Sequence, residues 1–269
     1  MKRASYHNHT VFSDGADTPE DFLMQAVSQG VEILGFSEHY FRQGSAVAEK
    51  APEWALQPRL EERYFEVVAE LGERGLAEVR TGLEFDWLEG SAAWLAPMAK
   101  DPRLDYAIGS VHYIGHESFD CSRNYWQKLS QDEVNEAHQR YWVAVREMAE
   151  SALFDIAGHI DLVKKFAFYS SEDVTPLIRD ALDAIKAADM AVELNTSGWA
   201  KDCREAYPSE AILRACLHRE IPVTVSADAH RARFVCANFA RAYDLLARVG
   251  YKEVARFRGR ERYLETIAF

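Results

Sequence analysis

Seven short apolar runs are spaced along the 269-residue chain, and each ends within about two residues of a histidine, a carboxylate or both. These runs cover residues 3–9, 31–37, 78–84, 106–112, 154–159, 190–195 and 221–228. Runs of this length between polar clusters are typical of buried strands. Seven endings of the same kind are hard to attribute to packing, so the strand ends are the predicted place of the chemistry.

Amphipathic stretches separate the apolar runs. The clearest helical patterns cover residues 60–74, 132–150, 175–188 and 209–220. Alternating strands and helices predict β-α units around a parallel sheet. In a parallel barrel the carboxyl ends of all strands lie on one rim, where active sites are found. We therefore expect an α/β fold, a TIM-like barrel with seven strands, in a single domain over residues 1–269. A doubly wound open sheet is the alternative.

Composition argues against nucleic acid and membranes as binding partners. The chain has 31 basic and 43 acidic residues, a formal net charge of −12, so the basic footprint of a general nucleic-acid binder is missing. No run reaches the roughly 20 apolar residues of a membrane span, so no membrane partner is expected. The four cysteines are scattered, and no signal peptide is expected before the first strand, which favours a cytoplasmic protein. Oligomeric state is left open.

Histidines and carboxylates at the strand ends have the spacing of metal ligands. His7 and His9 are two residues apart, as are Asp228 and His230, so each pair points to one face of an extended segment. Glu84 ends an apolar run, and a buried carboxylate requires a cation. A glutamate can also bridge two metals through its two oxygens.

Two further histidines, His112 and His159, end the fourth and fifth runs. With these residues in place, the chain resembles the polymerase-and-histidinol-phosphatase (PHP) superfamily along nearly its whole length, and in particular its histidinol-phosphate phosphatase branch. The motifs that carry the resemblance are HNHTVFSDG from His7, SEHY from Ser37, GLEF from Gly82, GSVH from Gly109, GHID from Gly158, ELNTSG from Glu193 and SADAH from Ser226.

The resemblance implies a distorted seven-stranded β/α barrel with two or three divalent metal ions. It implies a first metal on His7, His9, Glu84 and Asp228, a second on Glu84, His112 and His159, and a third on Asp14, His39 and His230. Mixed nitrogen and oxygen ligands accept zinc, iron or manganese, and the sequence leaves the choice open.

The resemblance also implies hydrolysis of a small phosphorylated substrate, L-histidinol phosphate, in histidine biosynthesis, with a metal-bridging hydroxide as nucleophile. We interpret Glu117 as a partner for the substrate ammonium and Lys201 as a phosphate ligand, with Arg123 and Arg231 as alternatives for the phosphate. Asp161 is a candidate catalytic acid.

Asp161 is also, like Glu38, a candidate partner that orients a ligand histidine. Three rival functions remain: a phosphoesterase of the same chemistry acting on nucleotides or another small ester, a non-catalytic metal-binding module, and an amidohydrolase-like barrel.

Overall fold

The computed structural model describes residues 2–42, 52–115 and 117–267. The strands within these ranges are β1 (Ala4–Ser5), β2 (Ile33–Tyr40), β3 (Glu78–Asp86), β4 (Tyr106–Ser110), β5 (Tyr113–Ile114), β6 (Glu117–Ser118), β7 (Ile156–Ala157), β8 (Ala191–Asn195), β9 (Val223–Ser226), β10 (Glu253–Arg258) and β11 (Glu261–Thr266). The α-helices are α1 (Pro19–Ser28), α2 (Glu61–Glu73), α3 (Ala92–Ala99), α4 (Arg123–Trp126), α5 (Gln131–Glu150), α6 (Thr175–Ala187), α7 (Glu210–His218) and α8 (Phe239–Val249).

Seven parallel strands form the central sheet in the order β1-β2-β3-β4-β7-β8-β9. A parallel bridge between Asn8 and Ala229 joins the two outer strands just beyond their carboxyl ends. There the backbone N–H of His9 donates to the Ala229 carbonyl at 2.9 Å, and the N–H of Ala229 donates to the His7 carbonyl at 3.1 Å. The sheet therefore closes into a barrel, which confirms the predicted seven-stranded TIM-like fold and excludes the open sheet.

Alternation along the strands separates an inner from an outer core. Outward-facing residues such as Leu34 and Ala107 pack with the helices, whereas Ile33, Tyr106 and Ile108 fill the barrel interior. Tyr106 lies beside Gly82, where a Cβ atom would collide with the Tyr106 ring. The bulky ring thus fits only because the neighbouring strand has no side chain at that level.

The hairpin of β10 and β11 covers the amino-terminal end of the barrel. Phe257 packs edge-on against Tyr6 at 5.7 Å between ring centroids, and its N–H donates to the Tyr6 hydroxyl at 3.1 Å. Arg80, on β3, donates to the Phe257 carbonyl at 3.1 Å. Arg256 is fully buried and donates to the Lys2 carbonyl at 2.8 Å. This end is therefore filled by side chains, and the opposite rim is left for the site.

Helix starts follow local rules. Thr18 and Asp21 form a reciprocal capping box at α1, with Pro19 at the first helical position, and Ser130 and Glu133 form the same box at α5. Among the described residues, no helix combines the length and the apolarity needed to cross a membrane.

Candidate metal centre

The structure brings the nine predicted metal ligands together at the carboxyl rim of the barrel. Overlapping groups of three or four of them have ligand atoms within 4.8 Å of one another, and Asp86 joins one of these groups. On β4 the even-numbered positions from Tyr106 face inward, which aims His112, just after the strand, into the rim. The same alternation on β3 aims both Glu84 and Asp86 inward.

Glu84 lies at the centre of the cluster and is almost completely buried, with 1% of its surface exposed. Its Oε1 is 2.8 Å from His159 Nε2 and 3.6 Å from His112 Nε2. Its Oε2 is 3.0 Å from His39 Nδ1, 3.2 Å from His7 Nε2 and 3.4 Å from His9 Nε2. The two oxygens thus face two different groups of imidazoles, which is the arrangement a bridging carboxylate needs.

Asp228 completes the group around the first two histidines. Its Oδ1 is 3.4 Å from His9 Nε2 and 3.8 Å from His7 Nε2. The residue has a positive φ of 52° just beyond β9, a conformation that is uncommon outside glycine and asparagine. The side chain is therefore directed into the rim by a special backbone turn.

A third group is more open to solvent. Asp14 Oδ2 is 3.1 Å from His230 Nε2 and 3.8 Å from His39 Nε2, and Asp14 Oδ1 is 3.8 Å from His9 Nδ1. The side chains of Asp14 and His230 are 31% and 41% exposed, whereas His9 is fully buried. This group therefore lies at the outer edge of the cluster.

Within the described part of the chain, several buried polar atoms of the cluster have no hydrogen-bond partner. Besides His159 Nδ1, they include a group at its centre: His7 Nε2, both ring nitrogens of His9, His39 Nδ1, Glu84 Oε2 and Asp86 Oδ2. Buried polar atoms in folded proteins are almost always paired, because leaving one unpaired costs about 1–3 kcal/mol. These atoms face one another across distances suited to a cation between them, so the side chains fit divalent metal ions.

Two carboxylates that were not among the predicted site residues orient histidines of the cluster. Glu193 accepts a hydrogen bond from His7 Nδ1 at 2.6 Å and another from the His159 backbone N–H at 2.7 Å. Asp86 accepts from His112 Nδ1 at 2.6 Å. The two ring contacts fix the tautomers of His7 and His112 that leave Nε2 free towards the cluster. The sequence signal for Asp86 was its i+2 spacing from Glu84.

Without metal ions, the buried carboxylates shift the pKa values of the cluster histidines in the opposite direction from burial. Burial lowers the pKa of His39, but Glu84 and Asp86 outweigh burial and raise it to about 10. The same balance raises the pKa of His112 to about 9. Burial, together with the charges on His39 and His230, lowers the pKa of His9 to about 4. Protons therefore occupy part of the cluster at neutral pH.

Asp161 and Glu38 do not contact the histidines beside them. The Asp161 carboxylate accepts from Lys164 Nζ at 2.6 Å and from the Ser209 N–H at 3.1 Å, and its backbone has a positive φ of 76°. Asp161 is absent from the described residues that line the cavity at the rim. Its placement supports neither a catalytic acid nor a partner of His159.

Glu38 accepts from Thr10 N–H at 3.0 Å and from the hydroxyls of Thr10 and Ser13. It therefore holds the loop that follows β1 and does not orient His39.

A cavity of about 620 Å³ opens over the cluster. Two of the candidate phosphate ligands, Lys201 and Arg231, line this cavity, together with Lys165. Arg123 is instead paired with Asp202 on the surface. The cavity wall also contains aromatic side chains, namely Trp54, Tyr113, Tyr207 and Phe234.

Glu117 does not face the cavity. It pairs with Ile114 in the small β5-β6 hairpin, whereas the adjacent pair, Tyr113 and Ser118, lines the cavity. Because neighbouring residues of a strand point to opposite faces, Glu117 is turned outward and is exposed. The interpretation of Glu117 as the ammonium partner is therefore not supported.

Comparison with known proteins agrees with this geometry. The family model of the PHP domain matches residues 5–197. A relative from Deinococcus radiodurans named "Probable histidinol-phosphatase" is 31% identical over 95% of this chain and 96% of its own length. The histidinol-phosphatase of Bacillus subtilis is 26% identical over 86% of this chain and 95% of its own length.

A solved structure has the same fold. The histidinol phosphate phosphatase of Lactococcus lactis, crystallised with zinc, L-histidinol and phosphate, superposes with a TM-score of 0.79 at 22% identity, covering 97% of this chain and 99% of that one. The chain therefore belongs to the PHP superfamily, in its histidinol-phosphatase branch.

Proposed function

We propose that this protein is a metal-dependent histidinol-phosphatase, which hydrolyses L-histidinol phosphate to L-histidinol and inorganic phosphate in histidine biosynthesis. One observation carries the proposal: six histidines and three carboxylates from separate strand ends converge on one rim, with buried ring nitrogens and carboxylate oxygens left unpaired. Unpaired buried polar atoms destabilise a fold, and bound metal ions would remove this cost by accepting the free ring nitrogens and carboxylate oxygens as ligands.

The metal ligands are proposed in three sets, of which the first two share Glu84. The sets are His7, His9, Glu84 and Asp228; Glu84, His112 and His159; and Asp14, His39 and His230. The first two sets are buried and the third is partly exposed, which supports two firmly held ions and a third that is released more easily. Zinc is the favoured metal because the Lactococcus lactis relative contains it, with iron and manganese as alternatives.

Divalent ions bound there would supply Lewis acidity that polarises phosphoryl oxygens and makes a water molecule nucleophilic near neutral pH. The protein's own contribution is orientation. Glu193 and Asp86 hold the His7 and His112 rings so that Nε2 faces the cluster. Lys201 is placed on the cavity wall, where its ammonium can pair with a phosphoryl oxygen.

Size and charge support a small substrate. A cavity of about 620 Å³ is in the range of small-molecule sites, which span roughly 300–1,000 Å³. The net charge of −12 disfavours nucleic acid. A cytoplasmic location stays a prediction, supported by cysteines that are all free.

The test is phosphate release from the purified protein after chelation and after reloading with zinc or manganese. L-histidinol phosphate should be hydrolysed with a kcat/KM at least about 100-fold above that of nucleoside monophosphates. The His9→Ala variant is the control for contaminating phosphatases. Equal turnover of nucleotides and histidinol phosphate would overturn the substrate assignment, and no turnover with any metal would overturn the enzyme assignment.

A further inference from the structure

Five carboxylates among the described residues line the cavity: Asp14, Glu84, Asp86, Asp120 and Asp228. Four of them lie within ion-pair distance of a cluster histidine. Asp120 is the exception, since its described ion pair is with a lysine. Asp120 is therefore the lining carboxylate whose described ion pair does not involve the metal cluster, which leaves it available to the substrate.

The loop after β4 builds the wall on which Asp120 lies. Asp120 Oδ2 is 3.2 Å from Lys165 Nζ, and Asp120 Oδ1 accepts from the Ser118 hydroxyl at 3.2 Å. The side chains of Asp120 and Lys165 are each only 18% exposed. The carboxylate is thus held in one orientation and is largely removed from bulk water, which strengthens its attraction for a cation.

Apolar and aromatic side chains line the same cavity as this carboxylate. Tyr113 and Leu162 line the cavity, and Trp54 packs edge-on against His39 at 5.2 Å between ring centroids. A molecule with its phosphate at the metal cluster would rest its carbon skeleton on this surface. Any cationic nitrogen that it carries would then come within reach of Asp120.

We propose that Asp120 binds the ammonium group of the amino-alcohol phosphate and so distinguishes this substrate from phosphate esters without an amine. The inference rests on the proposed function, because it assumes a phosphate held at the metal cluster. In the free protein Lys165 neutralises Asp120, and the substrate ammonium joins this pair as a second cation. The recognition is by charge and hydrogen bonding, so it acts on binding and leaves the chemical step unchanged.

The experiment compares two substrates on one set of variants. The substrates are L-histidinol phosphate and its deamino analogue, which keeps the imidazole and the phosphate but lacks the amine. Asp120→Asn should raise KM for histidinol phosphate about 10- to 100-fold, the usual range for a lost charge-assisted hydrogen bond, with kcat nearly unchanged. The same variant should leave KM for the deamino analogue within about twofold.

Glu117→Gln is the matched control, because it removes an equal charge from the same loop but from the face turned away from the cavity. It should change neither KM. Asp120→Glu keeps the charge and should recover part of the discrimination. A purely structural role for Asp120 would raise KM for both substrates together or lower the metal content of the variant, and either result would overturn the inference. If the wild type hydrolyses neither ester, the proposed function fails before this test applies.

Discussion

Replacing Glu84 by glutamine is the most direct test of the metal centre. The substitution preserves shape and volume but leaves one amide nitrogen that cannot bind a metal. Oε1 faces His159 and His112, and Oε2 faces His7 and His9. Whichever atom becomes nitrogen, one of the two buried metal positions loses a ligand and both lose a negative charge.

The magnitude follows from the burial of the side chain. Glu84 is 1% exposed, so an effective dielectric constant of about 20 is appropriate, at which two unit charges about 4 Å apart interact by about 4 kcal/mol. A divalent ion carries twice the unit charge, so this energy is a lower bound. Since each step of about 1.4 kcal/mol is tenfold in an equilibrium constant, the dissociation constant of the affected ion should rise at least about 10³-fold. Turnover at limiting metal should fall at least as far.

The assay combines metal analysis by mass spectrometry, competition with a chelator, and kcat/KM for histidinol phosphate. Glu38→Gln is the matched control, because Glu38 is also almost completely buried on the neighbouring strand, and its hydrogen bonds within the described residues go to Thr10 and Ser13. Glu38→Gln should keep the wild-type metal content. Full metal content and full activity in Glu84→Gln would refute the bridging role, and equal losses in both variants would show that any buried charge has the same effect.

Three further outcomes are expected. Zinc binding to metal-free protein at pH 7 should release at least about three protons. Burial lowers the pKa of His7, but Glu193 and Glu84 outweigh burial and hold it well above its usual value, and the pKa values of His39 and His112 are raised to about 10 and 9, so all three rings must deprotonate to bind. Calorimetry in buffers of different ionisation enthalpy measures this release, affinity should increase with pH, and a proton count of zero would contradict it. Glu193→Gln should weaken zinc binding about 10- to 100-fold, measured by chelator competition, since the acceptor of His7 Nδ1 loses its negative charge. Asp14→Asn should remove about one metal per chain and spare the buried pair, and loss of all metals would be inconsistent with separate positions.

The barrel and its candidate ligands were predictable because two periodic rules coincide. Apolar runs mark the strands, and six of the seven runs have a candidate metal ligand at or just beyond their end, while the run at 190–195 supplies the orienting Glu193. The apolar run at residues 154–159 correctly predicted a strand, although β7 has only two residues, Ile156 and Ala157. The apolar pattern reports burial rather than strand length. The i, i+2 rule likewise placed His7 and His9 together, with ring centroids 5.0 Å apart.

Contacts that depend on a local turn were not predictable. Asp161 follows His159 by two residues, but its left-handed backbone turns the carboxylate to Lys164. Glu117 and Asp120 are three residues apart, and only the register of the β5-β6 hairpin decides which of them faces the cavity. The residue types alone predict neither the left-handed turn at Asp161 nor the register of the β5-β6 hairpin, because several residue types are compatible with each.

The aromatic side chains at the amino-terminal end of the barrel affect how substrate enters the site and how products leave it. Tyr6, Tyr106 and Phe257 occupy the axis at the amino-terminal end, so among the described residues the rim cavity provides the way in and out. A phosphate ester that enters with its phosphoryl group foremost must release its alcohol before inorganic phosphate can escape. Free phosphate should consequently inhibit in competition with substrate, whereas the alcohol, which leaves first, should inhibit noncompetitively.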